Sequence, residues 1–241
     1  MEKHHKAEAK AESHDRTAAP HWSYNGHDGP ENWGTLSPAY GACASGTQQS
    51  PIDLMAARLA PLPAISINWK GFVPTVVNNG HTIQVNSDKK GTMVLDGKTY
   101  TLLQFHFHHN SEHTVNGRHY PLEAHFVHQA EDGSLGVLGV FFKEGQANPA
   151  LQKIWNIAPL DPGQMKAKKK FKPGALLPRD RGYFRYEGSL TTPPCSEVVS
   201  WAVFDQPLEA SRAQIDAFAG LYADNYRPVQ NTNRRFILHT Q

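Results

Sequence analysis

Gln104-Phe105-His106-Phe107-His108 sets two histidines two residues apart in a β-like run, and Glu123-Ala124-His125-Phe126-Val127-His128 carries a third on a second such run. Side chains alternate faces along a strand, so Gln104, His106 and His108 share one face while Phe105 and Phe107 point to the other. Residues two apart on a strand lie about 7 Å apart, and a neighbouring antiparallel strand lies about 5 Å away. Three imidazoles on two paired strands can therefore converge on one ion. Zinc held by three protein nitrogens keeps its fourth position open, the arrangement of a catalytic and not a structural site. Taken alone, a His-x-His pair is more often a solvated strand face than a metal site. The neighbours add weight to the metal: Gln104 and Glu123 stand two residues before His106 and His125, on the same faces, where a metal-bound imidazole passes its second ring proton to an amide or carboxylate.

The elements that must position these groups are strands. Thr82-Ile83-Gln84-Val85, Thr92-Met93-Val94-Leu95, Val137 to Phe142 and Val198 to Phe204 all read as strands, while 19 glycines and 17 prolines mark many turns. Helices are few and short. One starts at Asn148 with Pro149 in its first position and runs through Leu151, Ile154 and Trp155; another follows Ser211 and carries Ile215, Phe218 and Leu221 or Tyr222 on one face. Of the 14 histidines, seven fall between His106 and His128. His109 and His128 alternate to the opposite faces, and His113 and His119 belong to connecting segments; these four read as structural or surface groups.

The chain has 241 residues, 39% of them hydrophobic and 10% aromatic, which suits one large domain or two small ones with a sizeable core. No interdomain linker or internal repeat stands out, so a single domain is the simpler account. Lys+Arg 24 against Asp+Glu 22 leaves a net charge that suggests neither a nucleic acid nor a membrane partner. Lys166, Lys168, Lys169, Lys170 and Lys172 read as a solvated basic loop. Residues 1–20 are charged, lack an apolar run and read as a disordered tail, in which His4-His5 could bind metal only loosely; residues 21–241 form the folded domain. No stretch is apolar enough for a secretory signal or a membrane span, so the protein is either cytosolic or an exported one whose signal has been removed. Cys43 and Cys195 alone read as two unrelated thiols.

Several motifs together resemble the α-class carbonic anhydrases, over a span from about His21 to Phe236. They are Gln104 to His108, Ser111-Glu112-His113-Thr114-Val115, Glu123 to His128 and Ser189-Leu190-Thr191-Thr192-Pro193-Pro194-Cys195-Ser196-Glu197. His21-Trp22-Ser23-Tyr24, Gly29 to Trp33, Gln49 to Ile52, Asn78-Asn79-Gly80-His81 and Asn225-Tyr226-Arg227-Pro228 follow the family's order too. The resemblance implies a mainly β fold of the α+β type, with a large twisted, mostly antiparallel central sheet and short peripheral helices. It implies a Zn2+ enzyme that hydrates carbon dioxide reversibly to bicarbonate and a proton, through zinc-bound hydroxide on His106, His108 and His125. Carbonic anhydrases are the worked case of metal ionising water near neutral pH.

The same resemblance assigns further roles. Thr191 is the gatekeeper that orients the hydroxide, its own proton going to Glu112. Val127, Val137, Leu190 and Trp201 match the pocket wall for an apolar substrate, although each could equally be plain core. The Thr191 N–H and the Thr192 side chain face bicarbonate or inhibitory anions, and sulfonamides are inhibitors of the family. His81 stands at the proton shuttle, where sequence alone reads a surface histidine in an Asn-Gly turn; Tyr24, Asn79 and Gln84 match residues that order the intervening water, with Gln84 replacing the more usual Asn. A Cys43–Cys195 disulfide, common in secreted and periplasmic members, tethers the loop bearing Thr191 and points to a periplasmic or secreted protein. A homodimer is left open. Binding domains of the superfamily that have lost a zinc ligand are disfavoured by the intact set. Hydrolysis of small activated esters would be a side activity.

Overall fold

A computed structural model describes residues 20–241; the tail preceding Pro20, with His4-His5, lies outside the described residues. The two histidine-bearing strands are long and central. Lys98–His108 pairs antiparallel with Leu122–Gln129, which pairs antiparallel with Leu135–Glu144. The sheet of 13 strands continues outward through Val199–Phe204, Tyr183–Gly188, Leu238–Thr240 and Arg58–Ala60 on one side. On the other it runs through Ile83–Asn86, Thr75–Asn78 and Gly163–Lys166. Most pairings are antiparallel; Leu135–Glu144 with both Val199–Phe204 and Leu208–Ala210, and Arg58–Ala60 with Leu238–Thr240, are parallel. The mainly β architecture around one large, mostly antiparallel sheet is the expected one; Thr114–Val115 and Arg118–His119 form a separate two-stranded sheet.

Alternation divides each central strand between two environments. Phe105, Phe107, Ala124 and Phe126 are fully buried on one face, in the larger core with Val85, Leu138, Val140 and Phe218. Burial of an aromatic of this size contributes roughly 1.5–3 kcal/mol, so the phenylalanines fix which face the histidines must take. The two expected helices form over that core. Pro149–Trp155 is capped by Asn148, whose side chain accepts from the Ala150 and Leu151 N–H groups, and Arg212–Ala219 by a Ser211–Gln214 capping box. Trp155 and Phe218 stack at 5.3 Å between them. Short helical turns form at Trp33–Leu36 and Ala42–Ser45, which periodicity cannot reveal at four residues. The basic segment also departs from a plain loop, since Lys166 ends an edge strand and Phe171 pairs with Phe72.

Candidate active site

Register brings the three histidines together. His106 is the direct cross-strand partner of His125, and His108 is that of Glu123. One ring nitrogen each from His106, His108 and His125 lies within 4.8 Å of the others. Each ring spends its remaining nitrogen on an acceptor. His106 Nδ1 lies 2.9 Å from Gln104 Oε1, His108 Nδ1 2.8 Å from the Asn225 carbonyl, and His125 Nε2 2.8 Å from Glu123 Oε1. An amide oxygen, a carbonyl and a carboxylate can only accept, so all three rings carry their proton outward and turn a lone pair inward. Burial, with His108 and His125 close by, holds the His106 pKa well below the ordinary histidine value; burial also lowers that of His108. For His125 burial acts downward, but the charge and hydrogen bond of Glu123 and the charge of Glu112 carry the net shift upward.

Gln104 and Glu123 thus each face the outer nitrogen of a histidine two residues on, and two further groups had no local signal. The Asn225 carbonyl arrives from 117 residues further along the chain. Asn225 also accepts the His109 N–H at its Oδ1, 2.7 Å away, and donates from Nδ2 to the Phe107 carbonyl, so it fastens the end of the histidine strand. His113, read as structural, donates its backbone N–H to Glu123 Oε2 at 3.0 Å and sets Nδ1 2.8 Å from Oε1. Burial alone would raise Glu123, yet the charges and hydrogen bonds of His113 and His125 hold its carboxyl well below the usual range. Gly139 lies opposite His125, and a Cβ there would stand 3.0 Å from Glu123 Oε1.

Glu112 is completely buried beside this triad. Its Oε1 accepts the Arg227 N–H at 2.8 Å, while Oε2 lies 3.5 Å from His108 Nε2 and 3.7 Å from His125 Nδ1. Among the described residues Glu112 Oε2 and His108 Nε2 have no hydrogen-bond partner, so one carboxylate oxygen of Glu112 is free to accept. Thr191 is buried in the 189–197 loop, closed by Leu190 N–H to Ser196 carbonyl and Cys195 N–H to Thr192 carbonyl bonds. Cys43 and Cys195 form the disulfide that ties this loop down. Gln49 reinforces it by donating to the Cys195 carbonyl, and the buried Arg227 guanidinium joins Gln49, Ser50 and Cys43.

The apolar residues line up across the sheet. Val127 pairs with Val137 and Val137 with Trp201, and all three belong to one buried cluster against which Leu190 packs. Thr192, half-buried, follows Thr191 in the loop. On the other flank, a cavity of about 330 Å³ is lined by His21, Trp22, Tyr24, Gly80, His81 and Tyr222 among others. His81 is half-buried and stacks on Trp22 with ring centres 3.9 Å apart. Burial, then the charge of His21, lowers its pKa from the ordinary value. Asn79 Oδ1 accepts the N–H groups of both His81 and Thr82, so it shapes the turn carrying His81. Gln84 donates to Asn86 Oδ1 at 2.7 Å, next to His106 in register.

This geometry is shared with known proteins. A family model described as eukaryotic-type carbonic anhydrase matches residues 28–241. A carbonic anhydrase of Neisseria gonorrhoeae is 44% identical over 220 residues, 90% of this chain and 87% of that one; one of Pectobacterium carotovorum is 42% identical, with 92% of each covered. The structure of an alpha-carbonic anhydrase from Thermovibrio ammonificans with sulfanilamide is similar at a TM-score of 0.90 and 50% identity, covering 92% of this chain and 100% of that one. With the fold, the convergent histidine triad and these relatives in agreement, the chain belongs to the eukaryotic-type, or α, carbonic anhydrase family.

Proposed function

We propose that His106, His108 and His125 hold a zinc ion and that the chain hydrates carbon dioxide reversibly to bicarbonate and a proton, with His81 exporting the proton. The observation that carries the zinc assignment is the set of three inward lone pairs, each enforced by an acceptor on the outer nitrogen. The unpartnered, buried His108 Nε2 fits a cation between the rings. When bound there, zinc supplies a Lewis acid that lets water ionise near neutral pH.

The chain supplies the rest. Val127, Val137, Leu190 and Trp201 offer carbon dioxide an apolar wall that excludes competing water. The free acceptor on Glu112 takes the Thr191 hydroxyl proton, which leaves a Thr191 lone pair to orient the attacking water. The Thr191 N–H and the Thr192 side chain face the bicarbonate product and inhibitory anions. The Thermovibrio structure is a complex with the inhibitor sulfanilamide, which supports sulfonamide inhibition of this chain. Tyr24 stays protonated, since burial and then the charge of Glu112 push it well above the usual tyrosine range, and with Asn79 and Gln84 it orders the water leading to His81.

Residues 21–241 are the catalytic domain in this reading, and the disulfide favours a periplasmic or secreted location. Small activated esters are side substrates of the same nucleophile. Initial rates of carbon dioxide and ester hydrolysis, measured before chelation, after it and after zinc is restored, test the assignment. Both rates should fall and recover together. Hydration that persists in zinc-free protein would refute it.

A further inference from the structure

We propose that the sheet edge formed by Gly163–Lys166 and the segment after it is a docking surface for an anionic lipid bilayer. Three stretches of chain meet there. Phe171 pairs with Phe72 through both backbone hydrogen bonds, and the Ala167 N–H donates to the Pro74 carbonyl, so the 166–172 segment runs alongside 72–75. Gly71 lies against the side chains of Lys170 and Lys172, and Gly91 against Trp69. The basic run of Lys166 to Lys172 thereby joins Lys70 and the Lys89-Lys90 pair. All of these lysines are exposed, and among the described residues none has a carboxylate within salt-bridge distance.

The whole chain has a formal net charge of only +2, yet eight lysines gather on this face, with Asp88 and Asp161 the exposed acids in the same segments. A near-neutral total is what argued against a membrane partner in the sequence; clustering in space is invisible to it. One or two lysines suffice to deter pairing at a sheet edge. Here many more are drawn in from separate segments. They are interleaved with exposed aliphatic groups: Val73 is 40% exposed, Met165 51% and Leu160 77%. Met165 pairs with Val76 in the edge register, and the Leu160 carbonyl accepts from Asn78 Nδ2 beside it.

Lysines around protruding aliphatic side chains match the headgroup region of an anionic bilayer, which takes ammonium groups at its phosphates and apolar groups beneath them. A nucleic acid fits less well. Trp69, the aromatic at the centre, is stacked against Phe126 and His128 and is not free for bases, and the patch has no arginine to read them. Docking here would hold a carbon dioxide-hydrating enzyme against the barrier that carbon dioxide crosses and bicarbonate does not.

The test is co-sedimentation of the full chain with vesicles of equal parts phosphatidylcholine and phosphatidylglycerol, against vesicles of phosphatidylcholine alone. Binding to the anionic vesicles only, released by salt, is expected. Each lysine near such a surface contributes roughly fivefold, so the triple change Lys168→Glu, Lys169→Glu, Lys170→Glu should weaken partitioning at least about 100-fold. Leu160→Ser with Met165→Ser should weaken it while leaving its salt dependence. Arg118→Glu, Lys153→Glu and Arg234→Glu, exposed and outside the patch, make the same change in net charge and should cost far less. Hydration rates unchanged in all variants would show that they are folded. The proposal is overturned if the native chain ignores anionic vesicles, if the control reversals weaken binding as much as the patch reversals, or if duplex DNA is bound while vesicles are not.

Discussion

Glu123 carries more of the site than its place in sequence suggests. It accepts from His113 at two atoms and holds the outer nitrogen of His125, all in a fully buried setting. Glu123→Gln should lower zinc affinity 10- to 100-fold by titration against a competing chelator, because an amide can turn its NH2 toward His125 and favour the wrong tautomer. Thr191→Val should reduce kcat/KM about 100-fold with zinc content unchanged, since it removes orientation and not a ligand. The lowered pKa of His81 makes it neutral, and able to accept a proton, at neutral pH. The pH profile of kcat should therefore have its midpoint below 6.5, the ordinary histidine value, and His81→Ala should abolish that limb and cut the rate most at low buffer concentration.

At the scale of elements, the site is a matter of register. The His106 and His125 pairing follows from the alternation of phenylalanine and histidine, and that alternation is legible in sequence because the period of a strand is two. Gln104 and Glu123 were legible for the same reason. The Asn225 carbonyl and the Arg227 N–H were not, because they are backbone groups delivered across the fold, with no side-chain pattern to announce them. His113 was misjudged in importance, since a turn residue has no face until the chain folds. Gly139 belongs to this scale too. Gly139→Ala would press a methyl group on Glu123 Oε1 and Val203, and is expected to lower zinc affinity more than global stability, as judged by chelator titration and urea unfolding side by side.

For the whole molecule, the strand runs and both capped helices were readable from periodicity and caps, whereas the order of strands and the basic face were not, since both depend on which distant segments become neighbours. Two stability predictions belong here. The disulfide closes a sequence separation of 152 residues, and on the chain-entropy model its loss destabilises the fold by roughly 5 kcal/mol; Cys43→Ser with Cys195→Ser should lower the urea midpoint accordingly. His128 is wholly buried, stacked on Trp69, and burial lowers its pKa to about 4. The unfolded chain binds that proton from about pH 6.5 downward and the folded chain only near pH 4, so stability is full above 6.5 and lost progressively as the pH falls to 4. The loss from this residue is at most about 3 kcal/mol. His128→Phe should flatten the dependence across that window even if it lowers stability at pH 7.

We propose that three histidines, held in one tautomeric arrangement by Gln104, Asn225 and Glu123, bind the zinc that the hydration of carbon dioxide requires. Zinc content and hydration rate measured on the same samples of the native chain and His108→Ala test it most directly. We predict one zinc per native chain, with hydration abolished by chelation and restored by zinc, and a His108→Ala protein that is folded but deficient in both metal and rate. Full hydration without zinc, or native zinc content and rate in His108→Ala, would contradict the account.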